Sequence, residues 1–295
     1  MGRDKKPTKD QHYIPQVYLR NFSPDSKKEV GRDKMRIFRL PLDKIMDWNE
    51  KVRIKSQAYE KYLYEVYDNE DNMTSINYIE NCLCNLENDF GLYVGKLLDR
   101  IDSGKISKIP GEEREFWELY TSLQMARTPK VIEATKIYTE DNLGDRLSKQ
   151  ECAALAMMTI FPFFSDIDGI NEDYISWNSK RLQDRIMCFG IDSSDSIFTS
   201  DNPVCGFIDD WDSKNISGVI FPIASNCVLL FLDPANTPKE RNNSILYLSK
   251  EQIKYIKERI IINAKTCLYS KNAFQEDELQ FIYDIHNNLE KTEAL

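Results

Sequence analysis

Apolar positions spaced three and four residues apart predict a long helix in the first half of the chain. They fall on one helical face: Ile76, Ile79, Leu83, Leu86, Phe90, Val94, Leu97 and Ile101. This spacing follows the α-helical period of about 3.6 residues. Gly104 and the pair Pro110-Gly111 favour an end to the helix, because neither residue type suits a helix interior. The pattern therefore predicts one amphipathic helix over residues 76–101.

A second amphipathic segment follows, and further helices are predicted on both sides of these two. Its apolar positions repeat with the same spacing: Phe116, Leu119, Tyr120 and Leu123. Pro129 is expected to kink or end this helix. Three later segments are also predicted to be helical: 130–139, 148–161 and 171–184. Near the start, Pro15 suits a first helical turn, where its missing N–H would be unpaired anyway, and this predicts a short helix from about Ile14 to Phe22.

The pattern changes near Arg185 to short apolar runs rich in Val, Ile and Phe. Polar residues and glycines separate three such runs: IMCFGI, SIFTSDNPVCGFI and GVIFPIASNCVLLFLD. Two similar runs, MRIFRLPL and KYLYEV, precede the long helix. Runs of this kind are typical of antiparallel strands. A closing helix is predicted to begin after a Ser249 cap, with Glu251 in its first turn.

These elements predict a single α+β domain over residues 1–295. In it, helices pack with an antiparallel sheet formed by the N-terminal strands and residues about 186–232. Four parts are predicted along the chain: a disordered basic arm (1–10), a mostly helical part (11–184), a β-rich part with a closing helix (185–286) and a frayed tail (287–295). The change of pattern near Arg185 fits a boundary between two domains equally well.

Composition and charge narrow the classes of function. The chain is 41% hydrophobic and 11% aromatic, which is ordinary for a globular protein. Its formal charge of −9 argues against broad, non-specific nucleic-acid binding, because the average field repels phosphate backbones. A local basic cleft is still compatible with this charge. Since no run approaches the roughly 20 apolar residues of a membrane span, we expect a cytoplasmic protein without a membrane partner.

Known signatures of metal or cofactor sites are missing from the sequence. Its seven cysteines and two histidines form neither a disulfide framework nor a zinc-binding pattern. We find no phosphate-binding P-loop, no Rossmann glycine fingerprint and no G-x-S-x-G or H-E-x-x-H motif. We therefore predict no cofactor and no metal ligands, and Mg²⁺ or Mn²⁺ bound through oxygen is the one metal option left open.

The first candidate group of polar residues lies in the segment QHYIPQVYLRNF. Gln16 and Arg20 are four residues apart and share one helical face, and His12 precedes them. This arrangement lets all three side chains point into one cleft. The alternative is that His12 caps the chain locally and that Arg20 lies at the surface, its stem along apolar neighbours.

A second group of polar residues lies on the core-facing side of the helix that precedes Pro129. Gln124 and Arg127 each come four residues after an apolar position of that helix. Since burying an unpaired guanidinium is costly, Arg127 must contact a carboxylate, backbone oxygens or an anionic ligand. Glu80 and Glu87 lie on one face of the preceding helix and are the candidate carboxylates. A structural Arg127–Glu87 pair and a ligand-binding Arg127 both fit this pattern.

A third group lies in TSDNPV, which follows an apolar strand. Asp201 stands at the end of that strand, and Pro203 forces Asn202 into an extended conformation. A carboxylate at this position is well placed for a binding site. It is equally well placed to cap its own turn.

Taken in order, these segments resemble a bacterial family of unknown function, numbered four-two-three-eight. The resemblance spans about residues 11 to 272 and includes HYIPQVYLRNF, a Glu-bearing helix ending near Glu87, QMARTP, TSDNPV, FPIASNCVLLF and NAKTCLYS. Some members are counted among anti-phage defence genes, so the resemblance implies a defence role.

The resemblance also assigns residues to motifs. The opening motif holds His12, Pro15, Gln16, Leu19 and Phe22; the middle one holds Gln124 and Arg127; and the strand-end one holds Ser200, Asp201 and Pro203. The chain departs from the family at FPIA, where a serine is expected in place of Ala224. Ser225 is the residue that would take this place.

Two functional hypotheses follow. In the first, the protein is a toxic anti-phage effector, a metal-independent phosphodiesterase or related hydrolase acting on RNA or a nucleotide. The expected roles are His12 as general acid or base, Arg127 and Arg20 as anion-binding groups, Asp201 or Glu87 as the orienting carboxylate, and Gln16, Gln124 and Asn202 as substrate-positioning groups. In the second, the polar network is structural, and a non-catalytic sensor recognises a phage-derived peptide or small anionic ligand.

Overall fold

The computed structural model describes most of the chain, namely residues 6–26, 30–46, 49–67, 70, 72–73, 76–104, 108–161, 174–206 and 218–293. The chain divides into two compact units. The first comprises Met1–Pro15, Ala58–Leu92 and Phe116–Gln183, and the second Gln16–Gln57, Tyr93–Glu115 and Asp184–Leu295. Compactness does not show that either unit folds independently, so a single domain stays a prediction. The predicted α+β class is confirmed, because helices and mainly antiparallel sheets make up the described chain.

Strands flank a central run of helices along the described chain. The helices are α1 (Gln16–Leu19), α2 (Tyr78–Asp102), α3 (Arg114–Ala126), α4 (Pro129–Leu143), α5 (Lys149–Ile160), α6 (Tyr174–Gln183), α7 (Lys250–Asn263) and α8 (Glu276–Glu293). The strands are β1 (Asp10–His12), β2 (Arg36–Pro41), β3 (Glu50–Arg53), β4 (Tyr59–Lys61), β5 (Ile186–Ile191), β6 (Thr199–Ser200), β7 (Cys205–Gly206), β8 (Gly218–Ala224), β9 (Cys227–Leu232), β10 (Ser244–Tyr247) and β11 (Cys267–Ser270). No helix of the described residues is long and apolar enough to cross a membrane.

The first unit is mainly helical. Strands β1 and β4 form a two-stranded antiparallel sheet in which His12 pairs with Tyr59. Phe90 of α2 is fully buried and stacks on Tyr120 of α3, with ring centroids 4.2 Å apart. Because Leu83, Glu87 and Phe90 are spaced by four and three residues, they share one face of α2. Burial of Leu83 and Phe90 therefore directs Glu87 towards the same side.

The second unit contains two sheets. Five strands form the order β10-β5-β9-β8-β7, in which β10 is parallel to β5 and the other pairs are antiparallel. Four strands form the antiparallel order β3-β2-β11-β6. Every residue of β5 is buried, as expected for a strand covered on both faces. Helices α7 and α8 belong to this unit and pack against each other.

The structure corrects two strand predictions and adds one strand that the sequence does not predict. The N-terminal strand β2 pairs with β11 rather than with the strands of residues 186–232, so one predicted sheet is two. Strand β11 escapes prediction, because a four-residue strand close behind a helix shows little alternation of apolar and polar residues. The run KYLYEV is not a strand beyond Lys61, since Tyr62 has a φ of 55° and turns the chain.

Described residues near both ends of the chain make regular contacts. Residues 1–5 of the predicted basic arm lie outside the described residues. The Thr8 N–H, however, donates to the Asn77 side chain, and the Lys9 carbonyl accepts from the Tyr62 N–H. The predicted frayed tail is helical through Glu293 as the end of α8. Helix α8 is anchored before this tail, where Ile282 is fully buried.

Candidate functional site

The polar residues singled out in the sequence fall into two groups, one in each unit. The first unit contains His12, Glu87, Gln124 and Arg127, and the second contains Gln16, Arg20, Asp201 and Asn202. The Arg127 guanidinium is the centre of the first group. We call this group, together with Tyr64 and Glu80, the Arg127 cluster.

The guanidinium of Arg127 is buried and is bonded by protein groups at two of its three nitrogens. Its side chain is only 1% exposed. Nη2 donates to the His12 carbonyl oxygen at 2.6 Å and lies 2.9 Å from Oε1 of Glu87. Nε donates to the Tyr64 hydroxyl at 3.3 Å. Nη1 is buried and has no hydrogen-bond partner among the described residues. Since a buried N–H is costly when unpaired, Nη1 is the position where an anionic group can bind.

Two glutamates of α2 supply negative charge to the Arg127 cluster. The Glu87 side chain is 25% exposed, so the cluster reaches solvent on this side. Glu80 is half-buried, and its Oε2 has no hydrogen-bond partner in the described part of the chain. Burial raises the pKa of Glu80 to about 7; Arg127 opposes this rise and Glu87 adds to it. Near neutral pH, the Glu80 carboxyl is therefore able to give or take a proton.

The Tyr64 hydroxyl is a neutral group that contacts the guanidinium of Arg127. Burial raises the pKa of Tyr64 to about 12, although the charge of Arg127 opposes this rise. The Tyr64 hydroxyl donates to the His12 carbonyl at 3.2 Å and accepts from Arg127. Burial alone would lower the pKa of Arg127, but Tyr64 and Glu87 outweigh this effect and raise it. Arg127 therefore keeps its positive charge inside the cluster.

The opening segment is held to this cluster through its backbone. Nε2 of Gln124 donates to the Tyr13 carbonyl at 3.0 Å, next to the His12 carbonyl that Arg127 binds. Gln11 is fully buried and joins the Glu65 carboxylate to the Tyr64 N–H. Oε1 of Gln124 has no hydrogen-bond partner among the described residues. The opening and middle sequence motifs thus contact each other mainly through carbonyl oxygens of the opening segment.

The His12 side chain has a different position from its carbonyl. The imidazole is half-buried and packs against the ring of Tyr59, with centroids 5.6 Å apart. The carbonyl, rather than the imidazole, is the group that Arg127 binds. No sequence signal distinguishes these two roles, because every residue carries a carbonyl. A catalytic role for the imidazole stays a prediction.

Asp201, in the second unit, joins two parts of the chain. Its Oδ1 accepts from the Lys265 N–H at 2.8 Å, and its Oδ2 accepts from the Thr266 N–H at 2.7 Å and from the Thr266 hydroxyl at 2.5 Å. The carboxylate therefore caps the loop between α7 and β11 rather than its own turn. Asn202 and Asn263 each donate from the side-chain amide to the other's carbonyl.

The remaining predicted site residues are at the start of the second unit. Gln16 begins α1, and Arg20 lies in the turn of 3₁₀ helix that follows it. Both side chains are half-buried. Substrate contacts for Gln16, Arg20, Asp201 and Asn202 stay predictions.

Sequence reasoning assigned no site role to Tyr64 or Glu80. Tyr64 lay in an aromatic run that was interpreted as a strand, and Glu80 was considered only as a partner for Arg127. Their importance depends on burial, which periodicity does not measure. In the part of the chain that the structure describes, no group of three or more His, Cys, Asp or Glu side chains is placed to hold a metal ion.

Comparison with known families shows that most of the chain matches a family model. A family model described as "Protein of unknown function (DUF4238)" matches residues 10–274. The match includes the opening segment, the α2 glutamates, Arg127 and Asp201. Comparisons with curated proteins and with solved structures find no match.

Proposed function

We propose that this chain, which belongs to the DUF4238 family of proteins of unknown function, is a toxic effector of anti-phage defence that hydrolyses RNA or a nucleotide without a metal. The defence role comes from the resemblance of its motifs to family members counted among defence genes. The chemical role is supported by one observation above all. A buried guanidinium with an open N–H lies near a carboxyl group with a pKa of about 7.

In the proposed reaction, Arg127 binds a phosphate oxygen of the substrate. Nη1 donates a charge-assisted hydrogen bond, which is stronger than a bond between neutral groups. Because the guanidinium is already oriented by His12, Tyr64 and Glu87, little reorganisation is needed when charge develops on the phosphate. Arg127 thus supplies both substrate binding and transition-state stabilisation.

The two α2 glutamates divide the proton transfers between them. A water molecule attacks phosphorus and loses a proton to the Glu87 carboxylate, and the bond from phosphorus to the leaving oxygen breaks. Protonated Glu80 donates its proton to that leaving oxygen. Carboxyl groups in unlike environments are suited to opposite roles in acid–base catalysis, and burial raises the pKa of Glu80 to about 7. The His12 imidazole is the second candidate for either transfer.

A non-catalytic sensor is the second candidate function, and a specific observation favours it. Arg127 and Gln124 bind two successive carbonyls of the opening segment, those of His12 and Tyr13. These two side chains already bind the opening segment, and an anionic ligand at Nη1 of Arg127 would stabilise this contact further. Recognition of a phage-derived peptide or a small anion requires nothing further from these residues.

Growth and RNA integrity in an expressing host, with and without phage, distinguish the two functions. We compare wild type, Arg127→Lys, Glu80→Gln and His12→Ala, with Asp89→Asn at an exposed position of α2 as the matched control. The effector proposal predicts that wild type and control arrest growth and degrade RNA, whereas Arg127→Lys and Glu80→Gln do neither. His12→Ala keeps the carbonyl and tests the imidazole alone.

Two results would decide against hydrolysis at the Arg127 cluster. Unchanged RNA degradation by folded Arg127→Lys and Glu80→Gln would remove the Arg127 cluster from the reaction. A sensor would be identified by a different result. In that case Glu80→Gln still protects against phage, Arg127→Lys does not, and RNA stays intact. Circular dichroism of each purified variant shows whether it is folded.

A further inference from the structure

A groove of about 250 Å³ lies between α7 and α8 in the second unit. Three apolar side chains, Phe198, Ile253 and Phe281, line it together with three lysines, Lys250, Lys254 and Lys257. The α7 residues among them are spaced by three and four positions, so they share one helical face. The groove therefore combines aromatic walls with a row of ammonium groups.

The three lysines differ in how their charge is balanced. Lys257 pairs with Glu278 at 2.9 Å and lies over the Phe198 ring. Lys254 lies over the Phe281 ring, 5.6 Å from its centroid. Among the described residues, no carboxylate lies within 4.0 Å of the ammonium group of Lys250 or Lys254. Two positive charges therefore stand at the groove without an ion-pair partner in the described chain.

We propose that this groove binds a small phosphate monoester that carries a planar ring, the chemistry of a nucleoside monophosphate. A phosphate monoester has close to two negative charges at neutral pH, which match the two ammonium groups of Lys250 and Lys254. The planar ring packs against Phe281 and Ile253, where apolar and aromatic surface is exposed to the groove.

The acidic residues of α8 set the limit on ligand charge. Asp277 and Glu278 also line the groove, so further phosphates would meet like charge and lose affinity. The volume of about 250 Å³ holds a monomer rather than a polymer. All of these residues belong to the second unit and none belongs to the Arg127 cluster, so this proposal stands independently of the proposed hydrolysis.

Calorimetric titration of the full chain with AMP tests the proposal, with adenosine and inorganic phosphate as partial ligands. We expect one saturable AMP site and weaker binding of both partial ligands. The double variant Lys250→Gln/Lys254→Gln should weaken AMP binding roughly five- to twentyfold, the effect of two exposed charge pairs. Phe281→Leu should also weaken it, by removing the ring while keeping an apolar side chain. Lys96→Gln is the matched control, because Lys96 also lies over an aromatic ring, that of Tyr93, but outside the groove.

Several outcomes would overturn the proposal. These are the absence of saturable AMP binding, equal binding of adenosine, or unchanged affinity in a double variant with the wild-type circular dichroism spectrum. Loss of AMP binding in Arg127→Lys, together with full retention in the double variant, would assign the ligand to the Arg127 cluster instead.

Discussion

Replacing Glu80 by glutamine tests whether this carboxyl group is held away from water beside Arg127. The change keeps the size and shape of the side chain and removes its ability to ionise. Burial raises the pKa of Glu80 from 4.5 to about 7, so the folded protein binds more protons than the unfolded chain between these values. Wild-type stability should therefore fall as pH rises from about 4.5 to about 7 and stay level above that.

The size of the effect follows from this rise in pKa. Each pKa unit corresponds to about 1.4 kcal/mol, so a rise to about 7 sets an upper bound of roughly 3 kcal/mol on the cost of the ionised carboxylate at pH 8. Solvent reaches part of the side chain and screens its charge, which reduces this bound. We expect Glu80→Gln to raise the free energy of unfolding at pH 8 by about 1–3 kcal/mol.

Urea unfolding at pH 5 and pH 8 measures this difference. At pH 5 the carboxyl is largely protonated in the folded protein, so Glu80→Gln and wild type should differ much less in free energy of unfolding than at pH 8. Asp89→Asn, at an exposed position of the same helix, should change little at either pH. A Glu80→Gln variant that is no more stable than wild type at pH 8, and has the same pH dependence, would refute the buried environment assigned to this carboxyl group.

Two further substitutions test contacts in the two units. Arg127→Ala leaves the Glu87 carboxylate and the His12 carbonyl without their buried donor, so it should lower the free energy of unfolding by about 3–5 kcal/mol in urea. The control is Lys51→Ala, which removes an exposed lysine from its pair with Asp25 and should cost less than about 1 kcal/mol. Equal losses in the two variants would contradict the contacts assigned to Arg127. Asp201→Asn replaces a carboxylate that accepts three hydrogen bonds by a weaker acceptor, so it should lower the free energy of unfolding by about 1–3 kcal/mol in the same assay. An unchanged free energy of unfolding would mean that the carboxylate does not hold the loop before β11.

Much of the helical structure could be predicted because its signals are local. The apolar face of α2 predicted residues 76–101, and the helix runs from Tyr78 to Asp102. Ser249 caps α7 as expected, and its side chain accepts from the Gln252 N–H. These features depend on residues a few positions apart, which the sequence displays directly.

Pairing between distant segments could not be predicted in the same way. Strand β11 lies between β2 and β6, although more than 200 residues separate Leu40 from its partner Leu268. Nothing in either strand specifies the other. For the same reason, the antiparallel sheet predicted as one layer is two sheets, and the parallel β10–β5 pair was not foreseen.

The Arg127 cluster could be predicted from the sequence only in part. The core-facing position of Arg127 required an anionic or carbonyl partner, and the structure contains both the Glu87 pair and the His12 carbonyl. Which atom of His12 takes part depends on the path of the backbone. The raised pKa of Glu80 depends on how deeply α2 is packed, and spacing alone does not give that depth.

A crystal structure of the protein with a bound, non-hydrolysable nucleotide would locate the phosphate relative to Arg127 and so test whether this residue binds the anion. We expect a phosphate oxygen within about 3 Å of Nη1, with the contacts to His12, Tyr64 and Glu87 retained. A structure in which no phosphate oxygen contacts Nη1, and Nη1 is bonded to a protein group instead, would contradict the assignment of Arg127 as the anion-binding residue.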